Sequence, residues 1–160
     1  MSPFLNYWNE ERPARVLSFF QSCWALGFLY EVLSSWWPDW SLLFAEKAPL
    51  RTTENIYYPS GWNILGYFDA GWITQAALMA LILSTILVCL NIGGRKSLLV
   101  TLYLGSCFMD LSPAIIFSHN HFWKWTGICL LLAPSPGFLS EKTQPIWNLR
   151  LIQLHLITIY

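Results

Sequence analysis

Between Gly71 and Ile92 the chain reads GWITQAALMALILSTILVCLNI, with no Asp, Glu, Lys or Arg anywhere in the run. As a helix rising 1.5 Å per residue it is long enough to cover the roughly 30 Å hydrocarbon core of a bilayer. Composition extends that constraint to the whole chain. Only 11% of the 160 residues are charged and 55% are hydrophobic, whereas soluble domains carry roughly 25% charged residues. There is too little charge to cover a water-facing surface, so the expected class is an all-α membrane protein, a bundle of about four transmembrane helices plus the start of a fifth.

The other expected spans bracket this one. The first runs from about 16 to 37 and holds one acid, Glu31. A mixed stretch from Pro38 to Asp69 follows, rich in aromatics and too broken to span, and reads as an external loop with a short interfacial helix. Gly93 and Gly94 close the charge-free run. A third span covers about 97–117, interrupted by Asp110 and Pro113, and a fourth about 119–134. The last, 146–160, reads IWNLRLIQLHLITIY and is incomplete as a crossing, so a truncated reading frame is expected. Tryptophans such as Trp36, Trp37, Trp72, Trp125 and Trp147 fall near span ends, as an interfacial aromatic belt requires.

Lys and Arg are retained on the cytoplasmic side. With the amino terminus inside, the inner segments hold Arg12, Arg15, Arg95, Lys96, Lys142 and Arg150, and the outer ones Lys47, Arg51 and Lys124. This asymmetry favours a cytoplasmic amino terminus. The formal net charge is +0, which gives no attraction to nucleic acid and leaves the lipid bilayer as the expected partner. Cys23, Cys89, Cys107 and Cys129 all sit in apolar runs without Cys-x-x-Cys spacing and read as small apolar fillers, with no metal site.

An ionisable group in hydrocarbon costs about 2.5–3.5 kcal/mol even on the lenient insertion scale, so Glu31 and Asp110 need a partner or an aqueous cavity. They are either functional groups or interhelical ties. A second cluster, SHNHFWKW at 118–125, offers donors and acceptors that could hold an oxyanion or move a proton, or forms an interfacial polar turn. His119 and His121 are two residues apart and point to different faces of a helix, which argues against a shared metal. His155 faces another span or is a satisfied polar residue. There is no glycine-rich phosphate loop, no Gly-x-Ser-x-Gly elbow, no His-Glu-x-x-His and no nucleotide fingerprint, so soluble enzyme classes are poorly supported.

Taken in order, several short features resemble one family. They are GFLYE with Glu31 near the end of the first span, a long aromatic external loop, GGRKS with Gly94 and Arg95, and FMDLSPAIIFSHNHFW with Asp110, Asn120 and His121. LLLAP then ends the fourth span and WNLRLIQ opens the fifth. From about Arg15 to Tyr160 the chain resembles the horizontally transferred transmembrane (HTTM) domain family, related to the vitamin K-dependent gamma-glutamyl carboxylase.

The resemblance implies a membrane-embedded enzyme in which Asn120 and His121 line the reaction centre, where pre-placed donors in a dry cavity stabilise a carbanion or carboxylate. It implies reduced vitamin K or another quinone as cofactor only if the family chemistry is retained in full. The family's catalytic Lys lies beyond the Tyr that matches Tyr160, so the chain alone is expected to be inactive. The expected location is the bacterial inner membrane. Two other classes remain open: a non-enzymatic component assembling with other membrane subunits, and a small quinone-linked or proton-coupled helical bundle.

Overall fold

The computed structural model describes residues 10–45, 47–48, 63–67, 71–112, 118–133 and 142–159, with backbone alone at 118–120, 158 and 159. The protein is mostly helical: six α-helices lie among the described residues. A three-residue strand β1 (Glu11–Pro13) leads into α1 (Ala14–Glu31), which continues through a π-helical turn, Val32–Trp36. Next come a single turn α2 (Trp40–Leu43) and a 3₁₀ turn, Ile64–Tyr67. Helices α3 (Gly71–Cys89), α4 (Gly94–Leu111) and α5 (Ser118–Leu132) are followed by strand β2 (Thr143–Pro145) and α6 (Trp147–Ile159).

Among the described residues two helices are long and apolar enough to cross a membrane, the continuous Ala14–Trp36 (23 residues) and Gly71–Cys89 (19 residues). The expected third span differs from its helix at both ends. Gly93, in the left-handed region at φ 79°, starts α4 ahead of Arg95 and Lys96, so the basic pair lies in its first turn. The helix stops at Leu111 because Ser112 precedes Pro113 and goes extended, at φ −134° and ψ 90°, as the proline ring requires of its neighbour. Residues 113–117, the rest of that expected span, lie outside the described residues.

The second span also ends early. Its helix stops at Cys89, and Asn91, with φ 54°, turns the chain before the glycines. The helical class expected from composition holds for most of the described residues, with one short strand pair added to it. β1 and β2 pair antiparallel, Glu11 opposite Pro145 and Pro13 opposite Thr143, because the segment ahead of α1 and the segment ahead of α6 meet at one end of the bundle. In the loop from Pro38 to Asp69 the short helix is present as α2.

Helix α1 packs against α3 and α5, α3 against α4, and α4 against α5, closing a four-helix ring; α6 lies against α5. The register is antiparallel along the ring. Ser22 Oγ donates to the Cys89 carbonyl at 2.7 Å and Asn91 Nδ2 to Ser22 Oγ at 2.7 Å, which sets the end of α3 beside the first half of α1. The buried face of α1 follows a helical repeat through Ala14, Leu17, Gln21, Ala25 and Phe28.

Small hydroxyls line the seams between helices. Ser84 and Thr85 satisfy themselves on the Leu81 carbonyl of their own helix, and Thr101 Oγ1 then donates to Ser84 Oγ at 2.9 Å, tying α4 to α3. The outward faces are apolar: Phe19 and Leu26 on α1, Met79 and Leu83 on α3, Leu99 on α4, and Leu132 on α5 are all exposed.

Candidate functional site

The end of the bundle where α1 and α4 finish carries the most deeply buried acid among the described residues. Asp110, in the last turn of α4, is 2% exposed. Asn63, also buried, reaches it from the segment that enters the 3₁₀ turn. Its Nδ2 donates to Asp110 Oδ2 at 3.0 Å and to the Cys107 carbonyl at 3.0 Å, while its Oδ1 accepts the Leu65 amide at 3.0 Å. Both donors and the acceptor of the Asn amide are therefore in use.

Asp110 is less fully served. Its Oδ1 is buried and has no hydrogen-bond partner among the described residues. An acceptor in that state costs about 1–3 kcal/mol, more if charged. The carboxyl thus holds the connecting segment to α4 with one oxygen, while the other is not engaged by any described residue.

Glu31 is half-buried where α1 gives way to the π turn. The Trp37 amide donates to the Val32 carbonyl at 2.8 Å, a five-residue bond that widens the helix. In a regular helix each step of four residues drifts around the axis, so Phe28, Val32 and Trp36 would fan out. The wider turn reverses that drift and keeps Trp36, 1% exposed, on the same inner face as Phe28.

That face carries an aromatic column. Trp24 stacks on Trp123 with ring centroids 4.9 Å apart, and Phe28 on Trp123 at 3.7 Å. Phe28 then meets Trp36 edge-on at 5.4 Å, and Phe44 meets Phe108 edge-on at 4.9 Å beside Trp36. Glycine makes room for it. A Cβ on Gly105 would fall 2.9 Å from the Trp123 ring, and one on Gly127 would collide with Leu102 and the Trp24 ring.

Asn120 and His121 stand in the first turn of α5, at the same end of the bundle as Asp110. The Asn120 side chain, like that of His119, lies outside the described residues, and the His121 side chain is exposed. Asp110 is buried and His121 exposed. His155 faces α5, stacked on Phe122 with centroids 5.9 Å apart and tilted against Trp125 at 6.2 Å.

The opposite end is built on charge. Arg95 donates from Nε and NH2 to the Ala133 carbonyl at 3.1 and 2.9 Å, capping the end of α5 from the start of α4. The Ala14 amide donates to the Lys142 carbonyl at 2.8 Å and the Ile146 amide to the Glu10 carbonyl at 3.1 Å, extending the β1–β2 pairing on both sides. Arg150 pairs with Glu10 at 2.7 Å, Arg12 pairs with Glu10 as well, and Thr143 Oγ1 donates to Glu11 at 2.8 Å. The hydrogen bond from Arg150, with Arg12 adding to it, holds the Glu10 carboxyl below the usual carboxylate range.

Of the residues singled out from sequence, the structure gives Asp110 a partner that sequence alone did not suggest. Asn63 lies in a stretch read only as loop, and nothing in its neighbours marks it as the mate of an acid far along the chain. Comparison with family models, curated proteins and solved structures finds no match to this chain.

Proposed function

We propose that the chain is a multi-pass integral membrane protein in which α1, α3, α4 and α5 are the embedded bundle and α6 belongs to a further crossing. The observation that carries this reading is the apolar outer surface of the bundle, laid over a core that also holds polar side chains. Gln21, Thr74, Ser84, Thr101 and Asp110 are buried, while large aliphatic and aromatic side chains stand outward on each of the long helices. Lipid tails are as apolar as leucine, so outward apolar faces are solvated there and association between helices falls to small residues and hydrogen bonds.

The six basic residues Arg12, Arg15, Arg95, Lys96, Lys142 and Arg150 sit on elements that meet at one end, which supports a cytoplasmic position for that end. The test is alkaline carbonate extraction followed by labelling with an impermeant maleimide. The chain is expected to stay in the membrane pellet, with Lys47→Cys labelled from outside and Lys96→Cys only after permeabilisation. Release by carbonate removes the reading.

Membership of the HTTM family is the finer form of the proposal, with Asn120 and His121 as hydrogen-bonding groups at the external end. The alternative of a non-enzymatic assembly component has its own support in the Asp110–Asn63 bond, which is what an intramembrane tie looks like. Alanine at Asn120 or His121 separates the two. Under the family reading these changes, made in a longer form that carries the family's Lys, remove quinone-dependent labelling of a glutamate peptide by bicarbonate without loss of folded protein, whereas under the assembly reading that longer form shows no such labelling to lose.

A further inference from the structure

Three separate stretches of chain deliver exposed cations to one rim. Arg12 and Arg15 come from β1 and the first turn of α1, Arg95 and Lys96 from the first turn of α4, and Lys142 from the residue before β2; all five are exposed. They are gathered by specific bonds: Lys142 is joined to Ala14 through the main chain, Arg95 to the end of α5 through Ala133, and the α3–α4 turn to α1 through Asn91 and Ser22. The described acids of this rim, Glu10 and Glu11, are engaged by Arg150, Arg12 and Thr143.

Among the described residues the charge is thus unbalanced locally, although the whole chain is neutral. On the membrane reading, on which this inference rests, the rim lies at headgroup depth, directly beneath the exposed apolar side chains Val16 and Phe19 of α1 and Leu99 of α4.

We propose that this rim binds acidic phospholipids, with Arg15, Lys96 and Lys142 meeting the headgroup phosphates and the apolar faces above them meeting the acyl chains. Each cation near an anionic leaflet adds a roughly fivefold preference, and the effect fades with salt over a Debye length. The neutral bulk composition makes a general attraction to polyanions a poor substitute, because only this rim carries the excess among the described residues.

The full chain is reconstituted in phosphatidylcholine vesicles with and without phosphatidylglycerol, and lipid retained after detergent extraction is measured by native mass spectrometry. Retained phosphatidylglycerol is expected to exceed its bulk share about tenfold at low salt, a preference reduced at high ionic strength and largely lost in the triple variant Arg15→Gln, Lys96→Gln, Lys142→Gln. Lys47→Gln, on the other side of the bundle, is expected to leave it unchanged. Equal retention of both lipids, or a preference that survives in the triple variant, overturns the proposal. Carbonate release from both kinds of vesicle removes the membrane reading itself, and the proposal with it.

Discussion

At the basic end, elements far apart in sequence are joined by main-chain and charged groups: two short strands, a guanidinium on the Ala133 carbonyl, and the Glu10–Arg150 pair. At the opposite end the joints are aromatic rings, with Trp36, Phe44 and Phe108 in mutual contact, and one uncharged amide, Asn63, bridging to the buried acid of α4. The difference follows from what surrounds each. Exposed ion pairs contribute little because water competes for them, whereas rings packed out of solvent contribute through contact area. The two ends should therefore fail under different insults, the aromatic end to truncation and the charged end to pH and salt.

The largest effect is expected at Trp36. It is 1% exposed and touches Phe28, Phe44 and Phe108, so Trp36→Ala opens a cavity in the aromatic end and should cost about 3–5 kcal/mol. Thermal unfolding of both proteins in one detergent measures it. A change below about 1 kcal/mol would mean that the column does not hold this end together.

Asp110 sharpens the comparison by asking whether the buried acid acts as a tie or as a reactive group. Asp110→Ala leaves an Asn63 donor without its side-chain partner and should destabilise by about 1–3 kcal/mol. Asp110→Asn keeps an oxygen for Asn63 and should recover most of that loss. A double-mutant cycle with Asn63→Ala isolates the coupling. If Asp110→Asn is as stable as the parent yet inactive in whatever reaction the protein carries, Oδ1 is the functional atom. If stability and activity move together, the residue is a tie.

What could be read in advance follows the physics of each signal. The run from Gly71 to Cys89 is written in local hydropathy, and so its helix was legible to within a few residues. Pro113 marked the interruption of the next apolar run, and the helix there ends at Leu111, with Ser112 extended ahead of the proline. The Asp110–Asn63 bond and the β1–β2 pair were not legible at all. They join residues 47 and more than a hundred positions apart, and only tertiary packing brings such groups together. Asp110 was conspicuous as an acid in an apolar run, but its partner was an ordinary loop residue. The π turn left no trace in the sequence either, since it answers to the placement of Trp36 against rings on other helices.

The smallest effect belongs to the charged end, and its sign is fixed by Glu10. Arg150 and Arg12 hold the folded-state carboxyl below its unfolded value, so its contribution is fully present above the unfolded value and is lost as pH falls through the folded one. Only the strand pair should respond. Amide exchange at Arg12 and Gln144 is expected to accelerate as the solution is acidified below the ordinary carboxylate range, while protection within α3 and α4 holds. Glu10→Gln should bring the same loosening at neutral pH and remove the acid step. High salt should imitate the substitution in part, because the pair is partly open to solvent and is screened. A strand pair whose exchange ignores both acid and Glu10→Gln would mean that its main-chain bonds alone carry the clasp, leaving the ion pair as a bystander at the basic end.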